Sequence, residues 1–363
     1  MTKAFDNFYS GKKVFVSGHT GFKGSWLSIW LKMLGAEVIG YALEAEKESM
    51  FRFLRLSDEI FVSNIGDIRN MSALRSCLAQ YRPEIIFHLA AQPLVRESYI
   101  DPVLTYETNV IGTLNLLETA RAVGSVKIFV NVTSDKCYEN LEKDYCYKES
   151  DPMGGYDMYS SSKACSEILT ASYRRSFLSD GGFALASARA GNVIGGGDWS
   201  KDRLVPDIIK SINAGNKIVL RNPAAVRPWQ HVLEPLSGYL VLAEKLSKNP
   251  TQHSCGYNFG PEPNLVYKVI DITNKIVSAF NEKTDVIFEE QEIMHESKLL
   301  QLNIEKAKKE LGIFPILDID DTIDYTVNWY CKFFGRKTDM LDFTKTQIMD
   351  FMKKARHQNT SWT

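Results

Sequence analysis

The stretch Lys13-Val14-Phe15-Val16-Ser17-Gly18-His19-Thr20-Gly21-Phe22-Lys23-Gly24 predicts the fold of this chain. Its first five residues are a short, mostly apolar run of the kind that forms a buried strand. Three glycines follow with the spacing Gly-x-x-Gly-x-x-Gly, and an apolar pattern with helical spacing then continues to Gly35. Strand, glycine turn and helix in this order are the context of a dinucleotide-binding site, although the usual dehydrogenase spacing is Gly-x-Gly-x-x-Gly.

Each glycine of this turn has a physical role in such a site. The first permits the tight turn, the second lets the backbone approach a pyrophosphate, and the third lets the helix pack on the strand. The helix N-terminus adds N–H groups and the positive end of its dipole. An ordinary glycine turn is the alternative, which the flanking strand and helix disfavour. We predict that the turn binds a dinucleotide through Gly18, Thr20, Gly21, Phe22 and Gly24.

Strand and helix patterns alternate through the first half of the chain. Mostly buried strands that alternate with helices form a parallel sheet covered by helices on both faces. We therefore predict an α/β protein with a doubly wound parallel sheet (Rossmann). The predicted strands are residues 13–17, 37–41, 60–63, 85–89, 127–132 and 184–189, and the predicted helices that follow the first include 70–81, 104–123 and 156–177.

The pattern loosens after residue 189, where polar loops at 191–203 and 221–230 precede shorter elements. We predict a dinucleotide-binding domain over residues 1–190 and a smaller C-terminal α/β substrate lobe over 191–363, with the chain crossing between them. Ligands usually bind where two such lobes meet. The predicted helices of this half are 235–247, 266–281, 304–311 and 320–334, and its strands are 218–220, 257–259 and 286–288.

The segment Tyr159-Ser160-Ser161-Ser162-Lys163 has the pattern Tyr-x-x-x-Lys within a predicted helix. Residues four apart lie one turn apart on one helix face, where a lysine ammonium favours the ionised tyrosine. A free phenol titrates near ~10, so a tyrosine that acts as a base at neutral pH needs its pKa lowered by roughly three units. An isolated match is more often a solvated helix face, but here it has two companion motifs.

The first companion motif of the Tyr159/Lys163 pair is the glycine turn. The second is the segment Thr133-Ser134-Asp135-Lys136. It directly follows the predicted strand 127–132. Polar groups at the carboxyl end of a parallel strand point at the ligand crevice of a doubly wound sheet. The alternative is a capping turn, since Thr, Ser and Asp cap helices routinely, and taken alone the segment favours the cap.

Composition excludes several classes of function. The chain has 363 residues and a net charge of −1, which gives no electrostatic footprint for nucleic acid or a membrane surface. No apolar run approaches the ~20 residues that span a bilayer, and no signal-peptide pattern opens the chain. Six scattered cysteines favour reduced thiols in the cytoplasm. The six histidines have no metal-ligand spacing, so we predict no metal site.

Taken together, these residues resemble the extended short-chain dehydrogenase/reductase family over nearly the whole chain. Five groups of residues occur in the order and spacing of that family. They are Gly18/Gly21/Gly24, Gly66-Asp67-Ile68, His88-Leu89-Ala90-Ala91-Gln92, Thr108-Asn109-Val110-Ile111-Gly112-Thr113 and Tyr159/Lys163.

Within that family the chain is similar to the nucleotide-sugar 4,6-dehydratases, and among these to the ones that act on CDP-glucose. Residues 132–136, 155–163, 189–199 and 227–232 carry the closer likeness. The resemblance implies a lyase reaction with NAD: oxidation at C4 of the hexose, loss of water across C5 and C6, and return of hydride to C6. It also implies roles for four residues. Tyr159 removes the proton of the 4-hydroxyl, Ser134 hydrogen-bonds the 4-oxygen, Lys163 holds the nicotinamide ribose, and Asp135 protonates the departing 6-hydroxyl.

Lys136 departs from the pattern of the dehydratases that act on dTDP-glucose, which carry glutamate here as the base for C5. Lys136 can be a base only when neutral, and as a cation it would lower the pKa of its neighbour Asp135. An acid in this role has to stay protonated. The sequence therefore makes Lys136 a candidate participant and leaves its role open.

NAD is the cofactor that the resemblance implies, with Asp67 and Ile68 beside the adenine and Leu89, Ala90 and Ala91 among the further contacts. At the end of the second predicted strand, Glu44 and Glu46 would repel a 2′-phosphate, and no arginine is there to hold one. Lys23 is the one basic alternative nearby.

The substrate residues that the resemblance implies are Gln92, Asn192, Arg203, Arg227 and His231. Arginine suits phosphate geometry, and a surface ion pair is the alternative for Arg227. Trp199 and Trp229 are candidates to stack on the nucleobase, although core tryptophans are more common. Nothing in these residues distinguishes cytosine from thymine or uracil.

Two other functions are compatible with the scaffold. A nucleotide-sugar 4-epimerase needs Tyr159, Lys163 and NAD but has no use for Asp135. A nucleotide-sensing protein would keep the fold and lose the catalytic pair, which this chain retains. By analogy with the family, helices 104–123 and 156–177 would form a homodimer or a dimer of dimers. If CDP-glucose is the substrate, the product would feed the synthesis of dideoxy sugars of a bacterial surface polysaccharide such as O-antigen lipopolysaccharide.

Overall fold

A computed structural model describes residues 4–179, 181–263, 265, 267–280, 284–289 and 299–363. Its strands begin and end as follows: β1 (Lys13–Ser17), β2 (Glu37–Ala42), β3 (Val62–Ile65), β4 (Ile85–His88), β5 (Ile128–Val132), β6 (Cys146–Tyr147), β7 (Ala184–Ala190), β8 (Val193–Ile194), β9 (Ile218–Leu220), β10 (Val226–Arg227), β11 (Gln230–His231), β12 (Gly256–Phe259), β13 (Tyr267–Lys268), β14 (Val286–Phe288) and β15 (Gln301–Leu302).

The α-helices lie between and after these strands. They are α1 (Phe22–Met33), α2 (Met50–Phe53), α3 (Leu56–Glu59), α4 (Met71–Tyr81), α5 (Val95–Ile100), α6 (Pro102–Tyr106), α7 (Gly112–Val123), α8 (Met158–Phe177), α9 (Leu204–Asn213), α10 (Leu233–Lys248), α11 (Pro250–His253), α12 (Val269–Phe280), α13 (Glu305–Leu311), α14 (Ile319–Gly335) and α15 (Met340–His357). Within the described residues, no helix is long and apolar enough to cross a membrane.

A seven-stranded sheet forms the centre of the molecule, with the strand order β12-β7-β5-β4-β1-β2-β3. Every neighbouring pair in it is parallel. Alternate residues of one strand enter different cores: Val14 and Val16 pack on the side of α1, α10 and α15, whereas Phe15 packs on the side of α4, α7 and α8. Helices therefore cover both faces, which confirms the predicted doubly wound α/β fold.

The chain leaves β1 in one direction for β2 and β3, and then returns to the other side of β1 for β4. This reversal makes the carboxyl ends of β1 and β4 the switch point of the sheet, where ligands bind in such folds. The glycine turn follows β1 directly, and the Ser134–Lys136 segment follows β5 on the same edge.

Several predicted elements differ from the structure. The strand predicted at 60–63 is β3, two residues later, because Ile60 is buried at the end of α3. The helix predicted at 104–123 is two helices, α6 and α7, joined by a π-helical turn at Glu107–Ile111. The sequence pattern did not predict α9, α15 or the short helices α2, α3, α5 and α11. Of the helix predicted at 266–281, residues 266 and 281 lie outside the described residues.

The last strand of the central sheet comes from the second half of the chain, because β12 pairs with β7. In addition, α10 packs against β5 and β7. The central sheet therefore contains strands from both sides of a boundary at residue 190, so neither lobe is one continuous segment of the chain. The division into lobes over 1–190 and 191–363, with a crossing chain, stays a prediction.

The glycine turn yields a test of the packing between β1 and α1. A Cβ atom on Gly24 would lie 2.1 Å from the Gly18 carbonyl oxygen, whereas one on Gly21 would meet nothing nearer than 3.4 Å. We expect Gly24→Ala to lower the free energy of unfolding by about 1–3 kcal/mol through overpacking. The matched variant Gly21→Ala should cost about 1 kcal/mol or less. Denaturant unfolding of both variants measures this, and equal losses would contradict the packing role of Gly24.

Candidate active site

The glycine turn lies directly against the end of β4. Gly18 has a φ of +77°, and a Cβ atom on it would lie 2.8 Å from the backbone nitrogen of Ala90. The hydroxyl of Ser17 accepts hydrogen bonds from the N–H groups of Leu89 (3.1 Å) and Ala90 (3.2 Å). The predicted dinucleotide contacts at 18–24 and 89–91 are therefore brought together at the switch point of the sheet.

The start of α1 fits a dinucleotide pyrophosphate. Gly21 is its N-cap residue, and no side chain caps the first N–H groups of this helix. Packing leaves no room for a side chain at Gly18 in the turn or at Gly24 in the first turn of the helix, so only backbone is present at these two positions. Uncapped N–H groups and a positive dipole end are the features that bind phosphate at a helix N-terminus.

Asp67 and Ile68, predicted to lie beside the adenine, are at the other end of this crevice, next to β2. The Asp67 backbone carbonyl accepts a hydrogen bond from the Tyr41 hydroxyl (3.2 Å), and Ile68 is buried. Hydrogen bonds from Arg69 lower the pKa of the Asp67 carboxyl. Thr20, through its hydroxyl, bonds the carbonyl of Leu43 just after β2 (3.1 Å), so the turn and this strand end are joined.

No unpaired arginine is described at this end of the crevice. Arg69 forms ion pairs with Asp67 (2.7 Å) and Glu107 (2.9 Å). Arg52 pairs with Glu44 at 2.7 Å. Lys23 points elsewhere, because it lines the cavity described below. The structure thus does not bring Lys23 to the place where a 2′-phosphate would be held.

Tyr159 and Lys163 lie one turn apart near the start of α8, and both are buried. Asp157 sets this helix start, since its carboxylate accepts hydrogen bonds from the N–H (2.8 Å) and hydroxyl (2.6 Å) of Ser160. The Tyr159 N–H donates to the hydroxyl of Ser98 at 3.1 Å. The pair is therefore held in place by the first turn of its own helix and by α5.

Burial dominates the electrostatics of this pair. It raises the pKa of Tyr159 to about 12, and a hydrogen bond with Ser134 acts in the opposite direction. It lowers the pKa of Lys163 to about 8, against the attraction of Glu167. The predicted lowering of the Tyr159 pKa by Lys163 is therefore not what the folded chain shows, because loss of water around the phenolate outweighs it.

Asp135–Cys137 form a short 3-10 turn after β5, and Ser134 is its N-cap residue, whose hydroxyl accepts from the Lys136 N–H. The same hydroxyl donates to Oδ1 of Asp135 at 2.9 Å. Lys136 Nζ lies 4.0 Å from that oxygen. Asp135 is 1% exposed, and its other oxygen, Oδ2, has no hydrogen-bond partner among the described residues. The turn is thus both the predicted cap and part of the site.

A cavity of about 650 Å³ brings these groups together. Ser134, Asp135, Lys136 and Tyr159 line it on the side of the sheet. Residues after β7 and around α9 line the opposite side. Among the predicted substrate residues, the cavity wall includes Asn192, Arg203 and Arg227. Of the two tryptophans, Trp229 lines the cavity, whereas Trp199 packs against Tyr330 and Phe333.

The other two predicted substrate residues lie behind this wall. His231 is fully buried, edge-on to Trp26 and Tyr325, and burial lowers its pKa to about 3. It is not among the residues that line the cavity. The side-chain amide of Gln92 donates to the Leu94 carbonyl (3.1 Å) and accepts from the Leu94 N–H (2.6 Å), so Gln92 shapes a loop that lines the cavity.

Two charged residues that line the cavity, Asp198 and Lys23, were not predicted as catalytic or substrate-binding residues from the sequence. Asp198 holds Arg203 in an ion pair of 3.2 Å. Burial, followed by the cations of Arg203 and Lys163, lowers the pKa of Lys23 to about 7. The position of Lys23 in the first turn of α1 was the available signal, since that turn opens toward the crevice. Among the described residues, no group of three His, Cys, Asp or Glu side chains could hold a metal ion.

Comparison with known proteins gives matches over most of the chain. The chain is 49% identical to the CDP-glucose 4,6-dehydratase of Salmonella typhimurium over 352 residues, which is 95% of this chain and 98% of that protein. The fold is that of a dTDP-glucose 4,6-dehydratase from Streptomyces venezuelae solved with NAD and TYD bound (TM-score 0.77, 23% identity, 90% of this chain and 99% of that chain). A UDP-glucose 4-epimerase from Thermotoga maritima, solved with UDP-glucose, is similar to the same degree (TM-score 0.77, 21% identity, 89% and 99%).

Residues 15–326 match the family described as GDP-mannose 4,6 dehydratase. This span includes the glycine turn, the Ser134–Lys136 turn, the Tyr159/Lys163 pair and the cavity wall. The chain therefore belongs to the GDP-mannose 4,6 dehydratase family.

Proposed function

We propose that this protein is an NAD-dependent lyase that converts CDP-D-glucose to CDP-4-dehydro-6-deoxy-D-glucose. The observation that carries the reaction is the position of Asp135, which lines the same cavity as Tyr159 and adds an acid to the pair needed for oxidation at C4. The CDP-glucose assignment is supported by the 49% identity to the Salmonella typhimurium enzyme. Gly18, Thr20, Gly21, Phe22, Gly24, Asp67 and Leu89–Ala91 would hold NAD along the crevice.

The first step needs a base at the 4-hydroxyl of the sugar. When bound, NAD supplies a hydride acceptor for C4 and later a hydride donor for C6. Tyr159 takes the hydroxyl proton, and Ser134, which lines the cavity together with Tyr159, steadies the 4-oxygen. Lys163 adds a positive charge one helical turn away. Burial favours the protonated phenol, so Tyr159 has to release its own proton to solvent before it can act as the base, and the positive charge of Lys163 favours that release.

Water loss then needs an acid and a base. The 4-ketone acidifies the C5 proton, and Asp135 donates a proton to the departing 6-hydroxyl. A buried carboxyl with one unpartnered oxygen suits an acid that is protonated during part of the cycle. If Lys136 transfers its proton to Asp135, 4.0 Å away, the pair becomes a neutral acid and a neutral amine without any change in total charge. Lys136 is then competent as the C5 base.

The nucleotide end of the substrate would lie between the two sides of the cavity. Arg203 and Arg227 offer charge for the diphosphate, and Asn192 adds an amide. Trp229, in the same wall, is the candidate for contact with the base. Gln92 and His231 support this wall from behind.

We also propose that two copies associate through the helices on the α8 side of the sheet. There, α6 and the π-helical turn pack against α8. Large apolar side chains on these helices stay exposed, including Val103 (64%), Ile111 (49%) and Ile168 (55%). Exposed apolar side chains on adjacent helices are typical of an association surface. A dimer of dimers, the cytoplasmic location and the place of the product in surface-polysaccharide synthesis stay predictions.

The direct test offers CDP-, dTDP-, UDP- and GDP-hexoses to the purified protein with added NAD. CDP-glucose should give the highest kcat/KM and a 4-keto-6-deoxy product, identified by mass spectrometry and NMR. Release of a C4 epimer without loss of water would instead identify an epimerase. Turnover of dTDP-glucose in preference to CDP-glucose would contradict the assigned nucleobase.

Two substitutions separate oxidation from water loss. Tyr159→Phe removes the base for C4 and should slow formation of reduced cofactor in a single turnover by about 10²–10⁴-fold. Asp135→Asn should leave that burst within a few-fold of the unmodified protein and slow release of the 4-keto-6-deoxy product by about 10²-fold or more. Fully active Asp135→Asn would remove this carboxyl from the mechanism.

A charge on the proposed association surface should separate the copies. Ile168→Glu places a carboxylate in an apolar contact, so light scattering should report about half the mass of the unmodified protein. Phe288→Glu, at a side chain that is 62% exposed on β14, is the matched control and should keep the original mass. A monomeric unmodified protein, or no effect of Ile168→Glu, would refute the proposed surface.

A further inference from the structure

Glu167 is a buried carboxylate on α8, one helical turn beyond Lys163, and it does not line the cavity. It is 4% exposed. One of its oxygens accepts a hydrogen bond from the hydroxyl of Thr133 (2.5 Å). The other accepts from the hydroxyl of Ser187 on β7 (2.6 Å) and from Arg189 (2.9 Å). Three groups outside its own helix are therefore joined at one side chain.

Thr133 connects this carboxylate to the catalytic turn. It lies between the end of β5 and Ser134, and its backbone N–H is already bonded to the carbonyl of Ala188 on β7 (2.9 Å). Its hydroxyl is the group that reaches α8. Because Ser134 and Asp135 follow directly along the chain, the Thr133–Glu167 bond joins the helix of Tyr159 and Lys163 to the turn of Ser134 and Asp135.

The negative charge of Glu167 is held by its surroundings. Burial alone would raise its pKa, but Arg189 and the hydrogen bonds of Ser187 and Thr133 bring it below the usual value. Arg189 is itself fixed, since it donates to the Tyr138 hydroxyl (2.7 Å), which donates in turn to Asn258 (2.7 Å). The carboxylate is thus a fixed point between the helix and the sheet, and its acceptor capacity is used on both oxygens.

We propose that Glu167 is a positioning residue that, through Thr133, fixes the distance between the Tyr159/Lys163 pair and the Ser134–Asp135 turn. This inference rests on the function proposed above. The reaction uses the two groups in succession on one bound sugar, so both have to face it at a fixed separation. A displacement of about 1 Å in such an arrangement can cost about 10²-fold in rate.

Glu167 could instead serve only to hold the fold together. In that case its bond to Ser187, which lies on β7 and not in the segment that leads into the catalytic turn, should matter as much as its bond to Thr133. Both bonds are buried, link a hydroxyl to the same carboxylate and differ by 0.1 Å in length (2.6 against 2.5 Å). Thr133 lines the cavity whereas Ser187 does not, so a measurement without substrate has to accompany the kinetic comparison of the two side chains.

Three variants test the proposal in the full-length protein. Thr133→Val keeps the shape and removes the hydroxyl, Thr133→Ser restores the hydroxyl, and Ser187→Ala removes the matched bond. We expect Thr133→Val to lower kcat for the dehydratase reaction by about 10–10²-fold with KM changed by less than about threefold. Thr133→Ser should recover most of that loss, and Ser187→Ala should keep kcat within about threefold while it lowers the melting temperature.

Amide hydrogen exchange provides a readout that needs no substrate. Thr133→Val should speed exchange in the Asp135–Cys137 turn and leave the core of the sheet unchanged, whereas Ser187→Ala should not affect that turn. Equal losses of kcat in Thr133→Val and Ser187→Ala, an effect on KM alone, or no rescue by Thr133→Ser would overturn the proposal. If the unmodified protein turns over no nucleotide sugar, the proposed function fails, and the exchange rates of the turn still decide the role of the Thr133 bond.

Discussion

The close parallel pairing of β1 with β4 is the constraint on which the site depends. Ser17 lies opposite His88 in this pair, and its hydroxyl bonds the ring of His88 (2.7 Å) as well as the first two N–H groups after β4. Burial lowers the pKa of His88 to about 3, so its ring is neutral and bridges to the hydroxyl of Thr113 (3.0 Å) on α7. The glycine turn can rest on the end of β4 because Gly18 has no side chain, since a Cβ there would lie 2.8 Å from the Ala90 nitrogen.

The candidate catalytic side chains are also largely shielded from solvent. Tyr159, Lys163 and Asp135 are each less than a tenth exposed, so every change of charge among them occurs with little help from water. Burial favours the neutral forms of Tyr159 and Lys163, and a fixed charge acts strongly over short distances there. The folded chain supplies three charged pairs: Glu167 with Arg189, Asp198 with Arg203, and Asp135 with Lys136. The cavity lining as a whole is positive, with seven Lys and Arg against four Asp side chains, which suits an anionic ligand.

Local pattern was sufficient for much of the fold. Apolar runs between turn residues located β1, β9 and β14 to the residue, and the alternation of strands and helices predicted the doubly wound sheet. The candidate catalytic residues were named from a family resemblance together with their places where strands and helices begin or end. Positions whose side chains pack against residues distant in the sequence were harder to predict. Ile60 looked like the start of a strand but packs into the core from the end of α3. His231 looked like a phosphate ligand, yet it fills a gap between Trp26 and Tyr325, which come from opposite ends of the chain. The direction of Lys23 into the cavity depends on the packing of α1, which sequence spacing does not encode.

The placement of β12 beside β7 also bears on how the protein is made. When the first 190 residues have emerged from the ribosome, six of the seven strands of the sheet have been made, and β7 is an unpaired edge strand. Unpaired edges of this kind join with other chains and promote aggregation. The nascent protein has to keep that edge covered until residues 256–259 emerge and dock. The sheet is therefore completed late in translation, after most of the substrate-facing segments already exist.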